Sequence, residues 1–137
     1  MIVVDTNVIA YLYLTGERSA QAEQALAKDP AWAAPLLWRS EFRNVLAHCV
    51  RKALLSLHDA QEIMDEATSL MQDREYEVTS HRVLSLIADS TCSAYDCEFV
   101  ALAQSLDVPL ITADREILGQ FPALAVSLDA FASDQGP

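Results

Sequence analysis

Four acidic residues stand where carboxylates could do chemistry: Asp5 in "MIVVDTNVIA", Glu41 in "LLWRSEFRNVL", Asp96 in "SAYDCEFVALAQSL" and Asp114 in "VPLITAD". Asp5 and Asp114 each follow a short apolar run, residues 2–4 and 110–112, that reads as a strand buried on both faces. Asp96 falls in the first turn of a helix predicted over 94–106. In an open parallel sheet, strand C-termini and the N-termini of the following helices share one edge, where ligands bind. That edge is where these three aspartates could converge. Glu41 lies one turn into a long predicted helix, with Trp38 and Val45 at minus three and plus four, so it leans toward the core-facing boundary. A carboxylate there costs free energy unless a cation or strong donor meets it.

Each acid also has a plain structural reading. Asp5 and Asp114 suit N-caps, and Ser93 to Asp96 resembles a capping box. Glu41 suits a surface ion pair with Arg39 or Arg43. Together the four differ from their parts: gathered carboxylates raise one another's pKa and need a compensating cation to stay ionised at neutral pH. Oxygen-only ligands suit Mg²⁺ or Mn²⁺. Such a site lowers the pKa of bound water and stabilises a phosphodiester under in-line attack.

The elements that must position these acids read as an α/β fold. Strands are predicted at 2–4, 31–34, from Tyr76 through "YEVTS", at 110–112 and in "LAVSL", separated by helices at 6–14, 17–28, 36–55, 58–72, 81–88 and 94–106. Alternation of short buried strands with helices predicts a mostly parallel sheet. At 137 residues and 52% hydrophobic content, one domain over 1–132 is expected, with 133–137 ("SDQGP") a disordered tail. No apolar run reaches the roughly 18 residues of a membrane helix, and the first residues lack a signal peptide's basic start and cleavage site. The expected location is the cytoplasm.

Twenty Asp and Glu against nine Lys and Arg give a formal net charge of −11, opposite to that of a free-standing nucleic-acid binder. Either the substrate is no polyanion, or bound cations and a local basic patch reverse the sign where it matters. Cys49, Cys92 and Cys97 form an odd set without a C-x-x-C pair, in segments that read as helical, and are expected to be buried free thiols. His48, His58 and His81 are scattered, so a zinc site is not expected.

With these residues in place, the sequence resembles the PIN-domain family, most closely its compact VapC-type toxin members, through the blocks "IVVDTNVIAYL", "LLWRSEFRNVL", "SAYDCEFVALAQSL" and "VPLITAD". The resemblance covers nearly the whole chain and implies a three-layer α/β/α sandwich and a Mg²⁺- or Mn²⁺-dependent endoribonuclease. It places Asp5, Glu41, Asp96 and Asp114 in the family's acidic quartet, with Asp5, Asp96 and Asp114 as metal ligands and Glu41 orienting or deprotonating the attacking water. Thr6, Asn7 and Thr112 match supporting polar positions. The implied partners are RNA, a second copy in a homodimer, and an antitoxin whose C-terminal segment covers the acidic groove. Candidate RNA contacts are Arg39, Arg43 and Arg115, with Tyr11, Tyr13 or Trp38 as stacking surfaces.

Two rivals carry different expectations. A phosphoryl-aspartate protein wants an acid two residues after Asp5, where Asn7 stands, or a late lysine, and none follows Lys52. A noncatalytic module of the same fold would hold a basic peptide in the acidic groove.

Overall fold

The structure is a computed structural model, and it describes residues 1–133. Five parallel strands form one sheet in the order β3-β2-β1-β4-β5. They are β1 (Ile2–Val4), β2 (Trp32–Pro35), β3 (Glu75–Tyr76), β4 (Leu110–Thr112) and β5 (Ala125–Ser127). Among the described residues eight helices connect and cover them: α1 (Thr6–Tyr13), α2 (Ser19–Lys28), α3 (Leu37–Arg51), α4 (Leu57–Met71), α5 (Ser80–Ala88), α6 (Ala94–Leu106), α7 (Arg115–Gln120) and α8 (Leu128–Ser133). The result is the expected α/β/α sandwich.

β1, β2 and β4 are buried along their whole length, as continuous apolar strands between two helical layers must be. Helix α6 lies against β1, β2 and β4 and packs on α5. Its run Cys97 and Phe99 to Ala103 is buried on nearly every side, which explains why its sequence shows little amphipathic contrast. Trp32, Trp38, Phe42 and Phe99 are the largest fully buried side chains.

The register fixes the site. Val3 is level with Leu110 and Val4 with Ile111, and the Asp5 amide extends the ladder by donating to the Ile111 carbonyl at 2.9 Å. Asp5 and the end of β4 are thereby side by side. The chain leaves β1 toward β2 on one flank and returns as β4 on the other, so the crevice between them is the sheet's switch point.

Several boundaries differ from expectation. The third strand stops at Tyr76 because β2 ends at Pro35, and once Leu36 N–H has bonded the Tyr76 carbonyl the partner chain turns into α3. α3 ends at Arg51 rather than Leu55: Ala53 takes a left-handed φ of 58°, and the Leu54 amide folds back to the Cys49 carbonyl. Cys92 lies in the loop before α6, outside any helix. α7 is implied only by the N-cap reading of Asp114, and α8 has no counterpart among the predicted elements; Ser133 closes α8, and the rest of the expected disordered tail lies outside the described residues. No described helix is long and apolar enough to cross a membrane.

Candidate active site

Asp5 sits at the centre of the crevice, 7% exposed. Its Oδ1 accepts the Thr6 amide at 2.8 Å, the N-cap contact of α1. Its Oδ2 accepts the Thr112 hydroxyl at 2.7 Å and the Asn7 side-chain amide at 3.4 Å. Thr112 in turn accepts the Asp114 amide at 3.0 Å, and Asn7 Oδ1 accepts the Ala113 amide at 3.4 Å. Thr112 and Asn7 thus tie the β1 end to the β4 end.

Glu41 projects from the first half of α3 and is half-buried. Its Oε1 accepts the Thr6 hydroxyl at 2.7 Å, and it forms no ion pair with Arg39 or Arg43. Arg39 is instead held bidentately by Glu75, Nε at 2.5 Å and Nη2 at 2.6 Å, and Trp38 Nε1 donates to the same carboxylate at 2.8 Å. Ser93 is the N-cap of α6, accepting the Asp96 amide at 3.1 Å, and the Asp96 carboxylate accepts in return from Ser93, the expected capping box. Asp114 caps α7, accepting the amides of Glu116 and Ile117 at 2.8 and 3.2 Å.

The electrostatics bind these groups into one cluster. Burial pushes the Asp5 carboxyl up to about 6, against the lowering by its Thr112 and Thr6 hydrogen bonds, and Glu41 and Asp96 add to the rise. Glu41 is raised by burial and by Asp96, with the Thr6 hydrogen bond opposing. Asp96 is raised by burial, then by Asp114 and Glu116, with its hydrogen bonds from Ser93 opposing. No described lysine, arginine or histidine pairs with any of the four. Uncompensated carboxylates at one sheet edge, all oxygen donors, are what a hard divalent cation neutralises.

Among the described residues, however, the quartet does not bring three ligand oxygens within 4.8 Å of one another. Mg²⁺ tolerates this, since it keeps several waters and takes only one or two carboxylates directly. The group that does converge is Cys92, Asp96 and Glu116. Glu116 was missed in the sequence; its signal was its place in the first turn of the helix that Asp114 caps. Glu98, also missed, is half-buried, and its carboxyl is raised by burial and by Glu41. The Cys92 thiol is pushed up to about 11 by burial, with Glu116 and Asp96 the next largest influences.

The candidate RNA contacts part company. Arg43 and Arg115 are exposed, whereas Arg39 is committed to Glu75. Trp38 is fully buried, and Tyr13 packs toward Phe42 with ring centroids 6.3 Å apart. Tyr11 lines a groove of about 640 Å³ beside Ala113, under the guanidinium of Arg18, 5.7 Å from its ring centroid.

Comparison with known proteins gives a consistent picture. The family model described as PIN domain matches residues 2–122. Ribonuclease VapC3 of Pyrobaculum aerophilum is 31% identical over 126 residues, spanning 90% of this chain and 96% of that protein. The crystal structure of PAE2754 from the same organism superposes with a TM-score of 0.76 at 20% identity, covering 96% of this chain and 92% of the other. A toxin–antitoxin complex from Klebsiella pneumoniae contains a chain with a TM-score of 0.68 at 22% identity, covering 93% and 98%.

Proposed function

The chain belongs to the PIN-domain family, and from that premise we propose that it is a divalent-metal-dependent endoribonuclease, the toxin of a toxin–antitoxin pair acting in the cytoplasm. The observation that carries this reading is the cluster of Asp5, Glu41, Asp96 and Asp114 at the switch point, mutually repelling and without a basic partner. The identity to Ribonuclease VapC3 supports the substrate class.

Asp5, Asp96 and Asp114 would hold Mg²⁺ or Mn²⁺, directly or through water. The bound cation supplies charge stabilisation to the scissile phosphodiester and acidity to water. Glu41 is the proton acceptor: Thr6 occupies Oε1 and fixes the carboxylate's orientation, leaving Oε2 to take a proton from the attacking water. Its raised pKa brings it nearer the working pH of a general base. Thr112 and Asn7 keep the Asp5 carboxylate oriented, so the residues that meet the phosphodiester are preorganised by ones that do not.

Arg43 and Arg115 approach the RNA backbone, and Tyr11 and Arg18 offer a stacking and charge contact in the adjoining groove. A cognate antitoxin would present a basic segment to the acidic crevice and apolar side chains to the cleft of about 410 Å³ lined by Leu46, Val50, Leu57 and Met64. The Klebsiella pneumoniae complex supports a partner of this kind. A second copy completes a homodimer. The test is cleavage of single-stranded RNA with Mg²⁺ or Mn²⁺: cleavage that chelation and Asp5→Asn both abolish supports the reading, and full activity of Asp5→Asn refutes it.

A further inference from the structure

Cys92, Asp96 and Glu116 each place one ligand atom within 4.8 Å of the other two. They come from three pieces of chain: the loop before α6, the first turn of α6 and the first turn of α7. All three are held in place from outside the trio, Asp96 through its capping box with Ser93. The Cys92 amide donates to Ser90 Oγ at 3.4 Å, Thr91 Oγ1 donates to Glu116 Oε2 at 3.3 Å, and the Thr91 amide reaches Gln120 Oε1 at 3.2 Å, tying the loop to α7.

The thiol is the telling member. Cys92 is 4% exposed, and its sulfur makes no hydrogen bond among the described residues although two carboxylates stand beside it. Cys92 belongs to the edge of the buried core, yet its sulfur also lies within 4.8 Å of two carboxylate oxygens, which packing alone does not require. Burial grades outward from Cys92 through Asp96 to exposed Glu116, which leaves the cluster open to a cation on the Glu116 side.

We propose that Cys92, Asp96 and Glu116 form a binding site for a thiophilic divalent cation of the zinc class, which inhibits the enzyme by withdrawing Asp96 from the catalytic set. The inhibitory half rests on the nuclease reading; the site itself does not. A sulfur ligand selects zinc or cadmium over Mg²⁺, whereas the quartet's oxygens favour the harder ion. Tetrahedral zinc sets its ligand atoms about 3.5 Å apart, so side-chain rotations closing about 1 Å complete the site. On binding, the sulfur lone pair forms the S–metal bond and the Cys92 proton passes to solvent. Asp96 cannot serve both cations at full strength, so occupancy of the one site weakens the other.

The experiment titrates the full-length protein with Cd²⁺ and follows thiolate-to-cadmium charge-transfer absorption. Wild type and Cys49→Ser should each saturate one such site. Cys92→Ser should lose the band, and Glu116→Gln, an exposed change, should weaken binding about tenfold or more. In RNA cleavage at saturating Mg²⁺, Cys92→Ser should keep the wild-type rate and need about tenfold or more Zn²⁺ for half-inhibition. A band that persists in Cys92→Ser, or equal zinc sensitivity of the two proteins, overturns the proposal. If wild type cleaves no RNA with any divalent ion, the nuclease reading and the inhibition fall together, and the cadmium titration alone supports or overturns the site.

Discussion

The Thr6 hydroxyl donates to Glu41 Oε1 at 2.7 Å, joining the first residue of α1 to a carboxylate 35 residues later. That single contact opposes the burial and the Asp96 charge that raise the Glu41 pKa. Thr6→Val removes the donor at similar volume. The Glu41 pKa should rise further, the acid limb of the pH–rate profile should move to higher pH, and kcat should fall about tenfold or more. Thr6→Ser should restore both. A profile unmoved in Thr6→Val would mean that Glu41 takes no proton.

Asp5 costs the fold stability in exchange for its position. Its carboxyl titrates at about 6 in the native state against an ordinary 3.8. Between those values the native state holds the proton more tightly than the unfolded chain. Metal-free stability should therefore fall as pH rises from about 4 to 6 and then level off. Asp5→Asn should abolish cleavage yet be more stable by about 1–3 kcal/mol at pH 7, with the gain shrinking to nothing near pH 4. Urea denaturation in chelator across that range reads the difference directly, and parallel curves would contradict it.

Cation binding must compete with that same proton. Mn²⁺ affinity should drop about tenfold per pH unit below about 6 and change little above it, since one proton is displaced. Mn²⁺ at a hundred times its Kd should stabilise the wild type by about 2.7 kcal/mol. The same addition should leave Asp5→Asn unmoved in a thermal melt.

Three arginines should separate into two kinds. Arg39 is 37% exposed and its partner Glu75 is 11% exposed, so Arg39→Gln should cost about 1 kcal/mol after allowance for solvent screening. Its RNA affinity should not change. Glu75 has its carboxyl held below the ordinary range by the Arg39 hydrogen bond, so the pair's contribution is present above the unfolded carboxyl's pKa and is lost as pH falls through the lowered native value. Arg43→Gln and Arg115→Gln should stay within about 0.5 kcal/mol of wild-type stability. Each should weaken RNA binding and reduce the salt slope by about 0.7. Nitrocellulose filter binding at several salt concentrations distinguishes the classes.

The sheet and the acids at its edge were legible in the sequence because both rest on local rules. Continuous apolar triplets at 2–4 and 110–112 name buried parallel strands, and an aspartate after each has only one end of the sheet to occupy. What could not be read depends on which side chain meets which across space. Arg39 looks as free as Arg43 until Glu75, an edge-strand residue 36 positions later, is seen to hold it. Trp38 looks like a stacking surface until its burial against Phe42 is known. Glu116 and Cys92 become neighbours of Asp96 only when the loop before α6 is tied to α7 through Thr91 and Gln120.

The strand order carries a consequence in time. β1 is made well before its partner β4, and the Thr112–Asp5 bond spans 107 residues. Bringing such distant segments together carries the loop-closure cost of the whole intervening chain. Until β4 and the start of α7 have emerged, Asp5 lacks its Thr112 donor, Asp114 is not yet in place, and one edge of β1 is unpaired. A chain still lacking β4 is therefore expected to lack nuclease activity. Activity is expected only once β4 has joined β1, and the interval before that joining leaves a partner time to bind.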